Sequence, residues 1–417
     1  MRPVAARYRV MSELTADRLS HDDLVRHSAC SAAQLDRYVE LGLIRPAADG
    51  TFAAADVSRV RLLAALGNSG ITADQLAAAE RAGGMTVDFA GEVVAEQPGT
   101  TLQPWHIAIA ELGLDTIFVD RVFLALGLPA PALDDLVRED DRELLDIVVR
   151  VRAAGVPDEA LLRILRIFSV NLANIVAATR DMFRQELEEP LMARGMNDRE
   201  LIARTAPLRL ELQRLSYRAT FLIERRLLER TMFENLIAHF ERNLHTLGIA
   251  TGDRDATRTI AFLDMSGFTR MTEEFGDSHA ADNGTRLLAI VQDSGVQYGA
   301  RLVKLLGDGA MLHFRNAGNA VRCVLQIIEA AEMADLPPVR AGIATGPVIA
   351  RDGDYYGLTV NLAARLVAAA GSGTVLVTDT VRAAADDAGF VFAPAGEIAF
   401  KGIDAPVATY VAGLADC

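Results

Sequence analysis

The sequence predicts an α+β protein, all-α in its N-terminal part and an α/β sandwich in its C-terminal part. Three observations carry this. From residue 257 onward, short branched apolar runs alternate with helical patterns. Before residue 250, apolar residues recur at spacings of three and four, as on one face of a helix. Within that helical part, glycines, prolines and core leucines recur at an offset of 85 residues, as in a duplicated unit. The 417 residues suit two or three domains. We read a first helical unit over 1–95, a second over 96–203, a linker helix and hinge over 204–256, and the sandwich over 257–417.

About half of the residues are apolar, enough for ordinary cores. No uninterrupted apolar run reaches about 18 residues, so no membrane span is expected. Met1–Ser20 lacks the apolar stretch of a signal peptide. Cys30, Cys323 and Cys417 fit neither a disulfide framework nor a zinc pattern. A cytoplasmic protein is the expectation. The formal charge of −14 opposes nonspecific binding of nucleic acid. The 42 basic residues include only two lysines, Lys304 and Lys401. Arginine serves almost everywhere a cation is wanted, so these two positions call for a compact ammonium.

Taken in order, His21–Arg26 and Ser31–Tyr38 read as short helices, the second capped by Ser31. Leu41-Gly42-Leu43 ends it, and Ala47–Phe52 forms a small extended wing. Asp56–Leu66 and Thr72–Leu76 give two further helices. This pattern resembles the winged helix-turn-helix of MerR-type regulators. Where that family places basic groups on its recognition helix, this chain has Ala33 and Asp36, and residues 21–80 carry eight acidic and five basic side chains. DNA binding needs phosphate neutralisation, so DNA is not an expected partner and the unit is read as packing or regulatory. At the offset of 85, Leu126-Gly127-Leu128, Pro131, Asp141, Gly155 and Leu161 match Leu41-Gly42-Leu43, Pro46, Asp56, Gly70 and Leu76, with Phe123 on Tyr38.

Asp158 to Leu191 is an amphipathic helix with Leu161, Leu162, Leu165, Phe168, Leu172, Ile175 and Val176 on one face, a core or dimer surface. Pro190 and Gly195 punctuate it. Pro207–Leu247 reads as one long helix. Its heptad is broken at Glu229, so a sustained coiled coil is not expected. His239 and His245 lie near the hinge, where histidine charge can change near neutral pH.

In the sandwich, the expected strands are 258–264, 300–306, 309–315, 338–350, 374–378 and 390–400. The expected helices are 278–298, 317–333, 358–370 and 379–388. This alternation suggests a ferredoxin-like α/β sandwich. Ile260–Leu263 delivers Asp264 to a turn, and Ser266-Gly267 follows with backbone N–H groups suited to an anion. Leu302–Leu306 and Ala310–Phe314 flank Gly307-Asp308-Gly309, a hairpin with a carboxylate at its tip. Two such carboxylates beside glycine turns suit divalent cations and a polyphosphate. Two ordinary turn aspartates are the alternative on spacing alone.

Four motifs in one order resolve that alternative. Phe262-Leu-Asp264-Met-Ser-Gly267-Phe268-Thr269, Lys304-Leu-Leu-Gly307-Asp308, Asp354-Tyr-Tyr-Gly357-Leu-Thr-Val-Asn361-Leu-Ala-Ala-Arg365 and Phe400-Lys401-Gly402 resemble the class III nucleotidyl cyclase catalytic domain over 257–412. The resemblance implies adenylyl cyclase activity. The ribose 3′-oxygen of ATP attacks the α-phosphorus, forming 3′,5′-cyclic AMP and releasing pyrophosphate. It implies that Asp264 and Asp308 hold two Mg2+ or Mn2+ ions, and that Gly267, Phe268, Thr269 and Lys401 contact the substrate phosphates. Asn361 would orient the ribose, and Arg365 would stabilise the transition state. Lys304 donates and ionised Asp354 accepts, a polarity that fits adenine and mismatches guanine. The resemblance further implies a homodimer, since in the family the metal aspartates and the base-selecting and transition-state residues come from opposite subunits. The helical half would then control the placement of the two catalytic domains, with autoinhibition as the expected sign, in response to a small molecule, a lipid, pH or a partner. The alternative is a nucleotide-sensing MerR-like transcriptional regulator with a silent cyclase-like domain.

Overall fold

A computed structural model of the chain describes residues 18–28, 30–53, 55–82, 100–247, 249, 257–267, 273–274, 276–385, 389–400 and 405–415. It divides into two compact units, Met1–Leu227 and Leu228–Cys417.

The first unit holds two separate apolar cores. One is built from the helices His21–Ser28, Ala32–Glu40, Asp56–Asn68 and Ala73–Arg81, with Leu24, Leu35, Ile44, Val60 and Leu63 buried between them. Strands β1 (Arg18–Leu19) and β2 (Phe52–Ala53) pair antiparallel beside it. Ser31 and Gln34 form a reciprocal capping box, which explains the sharp start of the second helix. The other core lies among Trp105–Glu111, Thr116–Ala125, Glu139–Ala153 and the start of Asp158–Phe183. Strands β3 (Thr100–Pro104) and β4 (Leu136–Arg138) pair there. Gly42 and Gly127 both end helices at left-handed φ values of 78° and 71°. In both places the N–H three residues past the helix returns to an aromatic residue's carbonyl, Leu43 to Tyr38 at 3.0 Å and Leu128 to Phe123 at 2.9 Å.

The helix from Asp158 continues through a π-turn, Arg184–Glu188, into Glu189–Ala193. Leu161, Leu162 and Leu165 are buried, but Phe168, Leu172, Ile175 and Val176 are exposed. One helix bears on the expectation of no membrane span. Among the described residues, Asp158–Ala193 is long and apolar enough, by length and composition, to cross a bilayer. Interspersed polar residues such as Ser169, Asn171 and Asn174 break every uninterrupted run without lowering the average far. The long helix starts at Asp198, not at Pro207, and runs to Thr246 with Pro207 inside it. Proline favours the first helical position, but here the helix accepts the loss of one backbone donor. Late in this helix His239 Nε2 lies 3.0 Å from Asn243 Nδ2, and the His245 side chain lies outside the described residues.

Glu188, in the π-turn, is 7% exposed and accepts from Arg180 Nη2 and Arg209 Nη2, both at 2.8 Å. Removing a buried partner strands its counterions. Glu188→Ala should therefore destabilise the protein by about 3 kcal/mol. Urea unfolding checks this, and an unchanged midpoint would show the triad to be ornamental.

The second unit is built on a seven-stranded sheet of order β12-β13-β11-β8-β5-β7-β6. Its strands are β5 (Thr257–Met265), β6 (Arg301–Leu305), β7 (Gly309–Phe314), β8 (Val339–Pro347), β11 (Val375–Thr378), β12 (Phe390–Ile398) and β13 (Val407–Leu414). A separate hairpin, β9 (Ile349–Arg351) and β10 (Asp354–Tyr356), lies outside that ladder. Period-two alternation sorts the side chains. Ala261, Leu263, Met265, Ala310, Leu312, Phe314, Ala341 and Ile343 face the helices Asp277–Tyr298 and Ala317–Met333. Ile260, Phe262, Met311 and Ala344 face Leu358–Ala369. Three expectations change. The strand read over 338–350 ends at Pro347 and resumes as β9, β10 and β13 are additional, and the helix read to 388 ends at Ala384. β9 and β10, with three residues each, are too short to show periodicity.

Candidate active site

Asp264 is the penultimate residue of β5, between Gly309 of β7 and Arg340 of β8 in the register. Gly309 is required for that approach, because a Cβ there would sit 2.4 Å from the Leu263 carbonyl oxygen. The tight β6–β7 turn, with Gly307 at φ 73° and Leu306 N–H donating to the Gly309 carbonyl at 2.9 Å, carries Asp308 beside Asp264. Burial pushes the Asp308 carboxyl above the usual range, and the charge of Asp264 and a hydrogen bond to it push it further. The two carboxylates expected from the sequence thus lie side by side.

Arg340 was missed by motif reading. Its Nη2 and Nε both donate to Asp264 Oδ2, at 2.7 and 3.1 Å. The available signal was positional: a lone cation at the head of the apolar β8 run, in register with Asp264.

Two adjacent carboxylates, one raised by burial and by its neighbour, form a donor set that a divalent cation would neutralise. The buried Ser266 Oγ, two residues on, has no hydrogen-bond partner among the described residues. These features fit a metal. The expectation for the turn after Asp264 is corrected in part. The Ser266 N–H donates to the Pro338 carbonyl at 2.8 Å and the Met265 N–H to the Asp308 carbonyl at 3.3 Å, so neither amide is turned to an anion. The β5–β8 ladder simply extends past Asp264. Gly267 follows at φ 77°. Phe268, Thr269 and Lys401 lie outside the described residues.

Lys304, on edge strand β6, and Asp354, at the start of β10, come together across 50 residues of sequence, with Nζ to Oδ2 at 2.6 Å. Burial raises the Asp354 carboxyl, but the hydrogen bonds from Lys304 and from the Tyr355 N–H at 2.8 Å outweigh it and hold Asp354 below the usual range. The pair presents an ammonium donor beside a carboxylate acceptor.

Asn361 and Arg365 are one turn apart on Leu358–Ala369. The buried Arg365 Nη1 has no acceptor among the described residues. At the start of this helix Thr359 donates to the Pro347 carbonyl at 2.7 Å, and Pro347 pairs with Thr257. Thr257 is seven residues before Asp264, about 20 Å along the strand. The start of the helix, with Asn361 just after it, therefore lies toward the far end of β5 from Asp264.

Residues 253–413 match the adenylate and guanylate cyclase catalytic domain family, and residues 17–99 match the family described as Rv1828-like, C-terminal domain. An uncharacterized protein of Mycobacterium tuberculosis is 31% identical over 359 residues, covering 84% of this chain and 89% of that one. A pH-sensitive adenylate cyclase of the same species is 28% identical over 364 residues, covering 84% and 86%. An adenylate cyclase of Streptomyces coelicolor is 36% identical over 124 residues, 30% of this chain and 32% of that one. Among solved structures, an adenylyl cyclase from P. aeruginosa covers 39% of this chain and 95% of its own at 23% identity and a TM-score of 0.34.

Proposed function

We propose that this chain, an enzyme that belongs to the adenylate and guanylate cyclase family, converts ATP to 3′,5′-cyclic AMP and pyrophosphate at sites shared between two copies. The observation that carries the base preference is the Lys304–Asp354 pair at 2.6 Å. Lys304 donates to adenine N1, and Asp354 accepts from the exocyclic amine. Guanine presents the reverse polarity, and mispaired buried polar groups discriminate strongly.

Asp264 and Asp308 hold two Mg2+ or Mn2+ ions. Among the described residues no third His, Cys, Asp or Glu joins them. When bound, the metal supplies acidification of the 3′-hydroxyl and neutralisation of the triphosphate. Arg340, which donates to Asp264, would also serve the substrate phosphates, where Gly267, Phe268, Thr269 and Lys401 would contribute. Asn361 orients the ribose. Arg365 stabilises charge at the α-phosphoryl as the 3′-oxygen bonds to phosphorus and the bond to the bridging oxygen breaks. The likeness of residues 253–413 to the cyclase catalytic domain supports a homodimer in which each site draws on both chains.

The paired glycine turns and paired two-stranded ribbons support a duplicated winged-helix-like origin for residues 1–95 and 96–203. With the linker 204–256, this cytoplasmic enzyme's helical half restrains the catalytic domains over 257–417. The test is cyclic AMP formation from ATP with manganese, comparing the full chain with residues 250–417. A shorter chain more active than the full one is expected. Cyclic GMP from GTP in preference to cyclic AMP would sink the base assignment.

A further inference from the structure

β7 carries one polar side chain on a face where its neighbours are apolar. Met311 packs with Ile260, Phe262 and Ala344 under Leu358–Ala369. Two residues on, on the same face, His313 is 8% exposed, and its Nε2 has no hydrogen-bond partner among the described residues. Its ring lies flat against Tyr355, with centroids 4.5 Å apart and planes 13° apart. Tyr355 is equally buried. Arg301, opposite His313 on β6, places its guanidinium carbon 5.8 Å from the Tyr355 ring centroid and donates to the Gly353 carbonyl at 3.2 Å.

These contacts flank Asp354 on both sides. The β9–β10 hairpin forms its own two-stranded sheet, with no ladder to β6 or β7, and such hairpins are marginal alone. The Lys304–Asp354 pair is 40% and 25% exposed at its side chains. An ion pair that exposed contributes little to holding a hairpin in place. The aromatic stack, with both residues buried, is the stronger tether.

We propose that His313 is a positioning residue for base selection: by stacking on Tyr355 it fixes β10 against the sheet, and so keeps the Asp354 carboxylate on Lys304 and toward the base. Burial, with Arg258, Arg301 and Arg315 around it, brings the His313 pKa down to about 4. The imidazole is therefore neutral through the physiological range, and its repulsion of the nearby arginines is avoided. The inference rests on the adenylyl cyclase reading and adds the residue that sets its selectivity.

The experiment measures kcat/KM for ATP and for GTP with the full chain, as wild type, His313→Ala and His313→Phe. The ATP-to-GTP ratio should fall about tenfold or more in His313→Ala, the scale expected when a recognition group is displaced by a fraction of an ångström to one ångström. His313→Phe keeps the stack and should stay within about threefold of wild type. If His313→Ala does not fold, Tyr355→Leu is expected to give the same fall. A ratio unchanged in the folded variant, or lost equally in His313→Phe, overturns the proposal. A wild type that forms no cyclic AMP overturns the functional reading, and this proposal with it. An active wild type with an unmoved ratio in the variant overturns this proposal alone.

Discussion

Asp308→Asn should lower cyclic AMP formation on the order of 10³-fold, the scale for removing a group that holds transition-state charge in place. The same variant has a second signature in the protein without metal. Asp308 carries a raised pKa, first from burial and then from Asp264. A carboxyl raised in the fold contributes its stability below the unfolded value of about 4, and loses it as pH rises through the folded value. At neutral pH the wild-type pair is therefore strained, and an amide at 308 relieves it. Without metal, Asp308→Asn should melt at or above the wild-type temperature at pH 7, while manganese should raise the wild-type Tm and leave the variant's unmoved. Mixing Asp308→Asn with Arg365→Ala should restore activity, since one site of the mixed dimer keeps every group. Full activity in Asp308→Asn alone would end the two-carboxylate reading. No recovery on mixing would end the shared-site reading.

Gly342→Ala should cost about 3 kcal/mol, at the upper end for forcing a methyl into a filled core, and lower Tm by roughly 10 °C. A Cβ at Gly342 would lie 2.2 Å from the Val367 backbone nitrogen and 2.6 Å from both the Ala363 carbonyl oxygen and Leu366 Cβ. Two of those atoms are helix backbone and have no rotamer to yield, so the whole helix Leu358–Ala369 must move. Asn361 and Arg365 ride on it, and kcat should fall more than KM rises. Gly346 is the internal control. Its added Cβ would meet Thr359 Oγ1 at 2.7 Å, a side-chain atom that can rotate away. Gly346→Ala should therefore be the milder change. Equal melting temperatures for wild type and Gly342→Ala would show that the helix does not depend on this close approach.

Much of the catalytic unit was legible in the chain. Strands β5, β6, β7, β8, β11 and β12 announced themselves as branched apolar runs, because each is long enough to show which side chains face a core. The helices Asp277–Tyr298, Ala317–Met333 and Leu358–Ala369 had spacing and punctuation to match. β10 and the turn register of Ser266 were not legible. Three residues show no periodicity, and a backbone N–H declares its partner only once β8 is laid beside β5. Arg340 escaped for the same reason. Nothing local distinguishes an arginine at a strand start from any solvated cation until Asp264 is set opposite it. The π-turn at Arg184–Glu188 was also invisible, since the buried Glu188 draws its partners from Arg180 and from Arg209, 21 residues on.

The sequence by itself determined the division into a helical half and a sandwich, the two carboxylates on glycine turns, and the donor and acceptor types at Lys304 and Asp354. Residue type and near-neighbour spacing are local properties, and strands and helices of ordinary length write them into the chain. Only the tertiary structure decided that Asp308 lies half-buried beside Asp264, that Arg340 pairs with Asp264, and that His313 stacks on Tyr355. Those facts belong to contacts between residues 42 to 76 positions apart. They depend on sheet order and register, which set which side chains share a face and therefore which charges must answer one another.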